Sequence, residues 1–194
     1  MQCRQGRSAR FAVRRFGAKK GHAESPPADL SRPRPAPPVY PDPGLRRPAE
    51  TVTSFDESLR RLAADIADVM AEAEAVGLSA AHLGVALRLV VLRLDPAAPP
   101  EVLVNPVITW ASAEQETRDE GSVSMPGIYE PVTRPARLRL TWQDLDGTPR
   151  DGEAAGWRAA CLQHEIDQLD GIFWLARLSR LRRDRAVKRF AKRG

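Results

Sequence analysis

Gln163-His164-Glu165-Ile166-Asp167-Gln168-Leu169-Asp170-Gly171 sets a histidine, a glutamate and a glutamine at helical spacing before a glycine. In a His-Glu-x-x-His helix, two imidazoles four residues apart share one face and hold a metal. The glutamate between them works as acid or base on a metal-bound water. Here the second imidazole position is Gln168. The segment has the form of a metallohydrolase helix with one ligand replaced. Helical character is predicted over 153–169, with Gly171 as the stop. His164 and Gln168 fall on one face of that helix, and Cys161 lies one turn earlier on much the same side. Cys161 reads there as a small buried apolar residue.

Working outward, residues 172–175 form an apolar, strand-like exit, and 177–194 is a basic segment with Leu178, Leu181, Val187 and Phe190 that predicts a final surface helix. Upstream, 136–142 alternates strictly, as a half-buried strand does, and Asp146-Gly147 signals a hairpin turn. The β-rich runs 87–94 and 102–110 come before it, and Asn105-Pro106 marks an edge or a bulge. Ser54 with Glu57 three residues on reads as a capping box. Leu59, Leu62, Ile66, Val69 and Met70 follow at helical spacing and predict an amphipathic helix over about 55–74. The chain therefore reads as α+β, with antiparallel strands between two helices.

A length of 194 residues suits one well-packed domain, here 39–176, and 42% hydrophobic residues suit a globular protein. No run of eighteen apolar residues exists, so no membrane span is expected. Cys3 and Cys161 make no disulfide framework, which favours a reducing compartment. The net charge of +5 conceals an asymmetry: seven Arg/Lys and no acid in 1–20, nine Arg/Lys against Asp184 in 177–194, and −10 over the intervening 21–176. Basic ends are commonly solvated tails, and a polyanion such as ribosomal RNA is the functional alternative. Residues 1–38, basic and then proline-dense, predict a disordered extension. An Arg-rich, acid-free start also has the composition of a mitochondrial transit peptide, and it lacks the apolar core of a secretory signal.

Two further stretches belong with the helix. Ala75-Val76-Gly77-Leu78-Ser79-Ala80-Ala81-His82 offers small residues for close backbone approach, and Glu120-Gly121-Ser122-Val123-Ser124 is a short polar segment beside glycine. Each alone reads as an ordinary turn. In this order and at this spacing, the three resemble the peptide deformylase family, whose motifs are Gly-x-Gly-Leu-Ala-Ala-x-Gln, Glu-Gly-Cys-Leu-Ser and Gln-His-Glu-x-Asp-His. The resemblance runs from about residue 40 to 178, and Asn105-Pro106, Met125-Pro126-Gly127, Arg134-Pro135 and Leu169-Asp170-Gly171 fit it too.

The resemblance implies a fold of antiparallel β-sheets packed around a central helix that carries the His-Glu-x-x-Gln motif. It implies an ancestral reaction, removal of the N-formyl group from the initiator methionine of nascent peptides, and hence a cytoplasmic protein of translation. It also implies a divalent metal, Fe or Zn, held by the cysteine of the second motif and both histidines of the third. The glutamate would shuttle protons, the glutamine of the first motif would steady the developing oxyanion, and Val76, Gly77, Leu78, Val123 and Cys161 would line the substrate cleft.

The chain departs from the pattern where the chemistry is done. Ser122 stands at the cysteine position, Gln168 at the second histidine and His82 at the glutamine; His164 and Glu165 are retained. A serine hydroxyl is neutral and holds its proton, unlike a thiolate, and an amide oxygen is a hard, uncharged donor. Loss of a single outer-shell partner costs about 10–100-fold in metal affinity, and loss of two direct ligands costs more. Three readings follow. The first is a deformylase-like protein without ordinary metallohydrolase activity, which binds an N-formylmethionyl nascent chain or touches the ribosome through its basic C-terminal segment. The second is an active amide hydrolase whose metal site is rebuilt from His82, His164 and Glu165. The third is an interaction module that makes no use of Glu165.

Overall fold

Helix α1 (Glu57–Glu72) begins at Asp56, whose carboxylate accepts the backbone N–H groups of Ser58 and Leu59 at 2.9 and 3.2 Å. The predicted box at Ser54 is not used, because an ionised side chain two residues later already satisfies two of the unpaired N–H groups at the helix start. The computed structural model to which this helix belongs describes residues 37–193. The predicted extension lies, up to residue 36, outside the described residues. Leu59, Ala63, Ile66, Val69 and Met70 form the buried stripe of α1. They pack on β1 (Gly77–Ser79) and β2 (Leu89–Leu92), with a 3-10 turn, Ala80–Leu83, between the two strands.

The remaining elements are β3 (Glu101–Ala111), β4 (Gln115–Glu120), β5 (Glu130–Pro135), β6 (Arg137–Gln143), β7 (Pro149–Ala155), α2 (Gly156–Leu169), a 3-10 turn at Trp174–Arg177, and α3 (Arg180–Ala191). Five strands form one antiparallel sheet in the order β1-β2-β3-β6-β7, and β4 and β5 form a separate hairpin. β6 shows the predicted alternation: Leu138 and Leu140 are buried, while Arg137, Arg139 and Thr141 face outward. The expected irregularity at Asn105-Pro106 is a register shift between Val104 and Val107. Asn105 has a φ of 53°, and its side chain accepts the N–H of Val52 at 2.8 Å and donates to the Val52 carbonyl at 2.9 Å. The bulge thus ties the segment entering α1 to the sheet.

Three expectations are corrected. Residues 153–155 are strand, because Glu153 pairs with Arg139 and Ala155 with Arg137, so α2 starts at Gly156. Among the described residues, 172–175 find no strand neighbour. Phe173, Trp174 and Leu175 instead bury themselves with Leu45, Met125, Ile128 and Val132 in a cluster beneath α3. The first helix is shorter at both ends than 55–74.

α2 is enclosed on all sides from Ala159 to Leu169. Ala159, Cys161, Leu162 and Leu169 pack with Leu92, Leu103, Leu138 and Leu140 of the sheet. Its other sides bury Gln163, His164, Glu165, Asp167 and Gln168. Buried polar groups need partners, and those partners build the site. The helix ends where Gly171 takes a φ of 74°; a Cβ there would stand 2.5 Å from the carbonyl oxygen of Arg46. Among the described residues no helix is long and apolar enough to cross a membrane.

Candidate active site

The three motifs converge. α2 lies across β1, and the 3-10 turn that follows β1 carries His82 toward Glu165. His82, Glu165 and Glu120 are fully buried, and Ser122, His164 and Gln168 nearly so. The Nδ1 atom of His82 stands 3.9 Å from a carboxylate oxygen of Glu165, and the other carboxylate oxygen lies against Gly77, 3.3 Å from where a Cβ would sit. A side chain at Gly77 would also meet Leu92 at 2.7 Å, so glycine here lets α2 and β1 come together.

The hydrogen bonds of His82 fix its chemistry. The backbone N–H of Ser79 donates to Nδ1 at 3.2 Å, and the Ser79 hydroxyl lies 3.1 Å from the same atom. A backbone N–H can only donate, so Nδ1 uses its lone pair as an acceptor and the ring proton of the neutral imidazole resides on Nε2. Burial pushes the pKa of His82 down to about 4, although the Glu165 carboxylate pulls the other way, so the neutral form holds at physiological pH. Nε2 is buried and, among the described residues, has no hydrogen-bond partner. A lone buried donor of this kind costs about 1–3 kcal/mol.

His164 is held differently. Its Nδ1 stands 2.9 Å from Oε2 of Glu120, and Arg134 clamps Glu120 through Nε at 2.5 Å and Nη2 at 3.0 Å. The ladder continues: Arg134 Nη1 donates to Asp167 at 2.7 Å, and Arg177 donates to the same carboxylate through Nε at 2.8 Å and again through Nη2. Burial alone would raise the pKa of Glu120. The hydrogen bonds from His164 and Arg134, with their charges, outweigh it and hold the carboxyl at about 2. An ionised carboxylate on Nδ1 orients the ring and directs its Nε2 away from the ladder, the arrangement typical of a metal-ligating histidine.

The other donors do not complete a metal site. The Ser122 hydroxyl accepts the Ser124 N–H at 3.1 Å and carries no charge. The Gln168 amide is turned onto the Leu45 carbonyl, to which its Nε2 donates at 2.7 Å. As bonded, neither nitrogen of His82 offers a lone pair to a cation. Among the described residues no group of three or more His, Cys, Asp and Glu is arranged to hold a metal ion. One imidazole, a hydroxyl and a committed amide do not fit Fe(II) or Zn(II), which take three anionic or imidazole donors in such sites.

The cleft residues divide by face. Val76 and Cys161 pack in the cluster between α2 and the sheet. Leu78 is buried under α1, with Val123 against the same cluster, so the side chain of Leu78 belongs to the core, not to a cleft wall. Gly77 contributes its close approach to Glu165, and β1 lies at the edge of its sheet. Sequence reasoning missed the roles of Ser79, Arg134, Asp167 and Arg177. Arg134 and Asp167 are 33 residues apart, and no local pattern announces a buried ion pair across that distance.

The family profile described as Polypeptide deformylase matches residues 38–184. A protein of Brucella melitensis biotype 1 named peptide deformylase-like is 56% identical over 153 residues, 79% of this chain and 93% of that protein. A peptide deformylase of Brucella suis biovar 1 is 40% identical over 158 residues, 79% of this chain and 90% of that protein. The structure is also similar to a peptide deformylase from Synechococcus elongatus in complex with actinonin. That likeness has a TM-score of 0.79 and 34% identity, covering 84% of this chain and 90% of the other. With the profile spanning most of the chain, and both sheets and the central helix arranged as in solved relatives, the chain belongs to the polypeptide deformylase family.

Proposed function

We propose that this protein binds the acylated amino terminus of a nascent chain, of the N-formylmethionyl type, and does not hydrolyse it through a metal-bound water. One observation carries the reading: the positions that should hold a divalent metal offer Ser122, Gln168 and a His82 whose Nε2 is a proton donor. Without metal, water keeps a pKa of about 15.7 in place of roughly 7, and Glu165 has no activated water to deprotonate. A neutral carbonyl fits the Nε2–H of His82, because it supplies an acceptor that no described residue provides. An extended peptide is compatible with β1 as the outermost strand of its sheet among the described residues.

On this reading the protein works in the cytoplasm, at sites of translation. α3 carries Arg180, Arg182, Arg183, Arg185, Lys188 and Arg189 against the single acid Asp184, a surface suited to a polyanion such as ribosomal RNA.

The reading is tested by calorimetric titration with N-formylmethionyl-alanyl-serine and with the unformylated peptide, beside an assay for formate release. Preferential binding of the formylated peptide without release is the expected result. Near-stoichiometric iron or zinc in the purified protein, with His82→Ala abolishing both metal and turnover, would establish the rebuilt hydrolase instead. Equal binding of both peptides would leave only an interaction module.

A further inference from the structure

Independently of that cleft, residues 39–41 and the inner face of α3 enclose a groove of about 560 Å³. Val39, Tyr40, Pro126, Val187 and Phe190 form its walls, and Arg193 stands at one end. The groove is preformed. The Tyr40 N–H donates to the Ser124 carbonyl at 2.8 Å, and the Tyr40 ring stacks on Phe173 at 5.4 Å and meets Phe190 edge-on at 6.5 Å. Val39 nevertheless leaves 54% of its surface exposed. The volume is that of sites which seat a small ligand or a few side chains.

At Arg193 the groove meets a second hollow, lined by Gly127, Tyr129, Arg189 and Lys192. Arg189 is already paired with Glu130. Arg193 donates to the Gly127 carbonyl at 2.8 Å, and among the described residues neither it nor Lys192 forms an ion pair with an acid. A largely apolar trough therefore opens onto two cations that, among the described residues, no carboxylate balances.

We infer that this groove docks an acidic segment of a partner protein, with apolar side chains seated between Val39 and Phe190 and carboxylates set against Lys192 and Arg193. Charge and shape select this occupant. The chain's own residues 1–20 carry seven cations and no acid, so the rim would repel them, and residues 21–36, with Glu24 and Asp29 against Arg32 and Arg34, bring no net negative charge to it. A second copy docked groove to groove would oppose two cation-dense helices. Nucleic acid supplies anions but reads aromatic side chains through exposed ring faces, and the Tyr40 face is already stacked on Phe173.

The test uses the full chain and a fluorescein-labelled octapeptide, Leu-Phe-Gly-Leu-Glu-Asp-Glu-Glu, followed by fluorescence anisotropy. Saturable binding is expected. Val39→Asp and Arg193→Glu, both at exposed positions, should each weaken it by about tenfold or more, and a peptide with serine in place of its Leu and Phe should lose as much. Circular dichroism of the two variants shows that they are folded. Absence of saturable binding, equal binding of the serine peptide, or unchanged binding by both variants would overturn the inference. So would a single-stranded RNA whose binding depends on Val39. Sedimentation that shows a dimer dissolved by Val39→Asp would give the groove to a second copy and overturn it equally.

Discussion

At the scale of single residues, the replaced ligands set the chemistry. Ser122→Cys with Gln168→His restores a thiolate and an imidazole beside a His164 already oriented by Glu120. The double variant, purified after growth with added iron or zinc, should carry near-stoichiometric divalent metal by elemental analysis, and the parent protein far less. A metal-free double variant would mean that the pocket as well as its ligands has changed. His82 has a consequence for pH. Its folded pKa, about 4, lies below the ordinary 6.5, so between these values the unfolded chain binds a proton that the native state does not. Stability associated with neutral His82 is complete above about pH 6.5 and is lost as pH falls toward 4, by up to about 3 kcal/mol. Urea denaturation of His82→Gln over that range should show a flatter dependence than the parent.

At the scale of elements, α2 is held by charge as much as by apolar packing. Arg134 bridges Glu120 at the end of β4 and Asp167 near the end of α2, and all three are buried. Arg134→Met leaves two buried carboxylates without their shared cation and should cost about 3–5 kcal/mol in chemical denaturation. The same change frees Glu120 to turn, and the ring of His164 loses its fixed orientation. The ladder also has an acid limit. Glu120 has a folded pKa of about 2 against an ordinary 4.5, so its contribution is present above about pH 4.5 and disappears as pH falls toward 2. Arg177 extends the ladder to the turn preceding α3, so the basic helix and the motif helix share one electrostatic anchor.

At the scale of the whole molecule, acid and base are segregated: the ends are cationic and 21–176 carries −10. If α3 meets a polyanion, binding of a structured ribosomal RNA fragment should weaken steeply with salt, with a log–log slope of about −0.7 to −0.9 for each phosphate neutralised. Arg182→Glu with Arg185→Glu, both on exposed positions of α3, should reduce that slope by about two. A slope unchanged by the double variant would place the contact elsewhere.

The family, the antiparallel sheet, the central helix with its stop at Gly171 and the three substituted positions are all legible in the amino-acid sequence. Those features are written in local patterns: alternation in 136–142, a hairpin turn at Asp146-Gly147, and motif residues at short spacing. Helix boundaries were less legible, because Glu153 joins a strand through pairing with Arg139, a partner fourteen residues away. What His82 can do is not legible in the sequence. Its role depends on which nitrogen carries the proton, and that follows from the direction of the Ser79 N–H, which the fold sets and composition does not. The fold also decides that Glu120, Arg134, Asp167 and Arg177 act together, since burial of charge becomes visible only when four elements close around it.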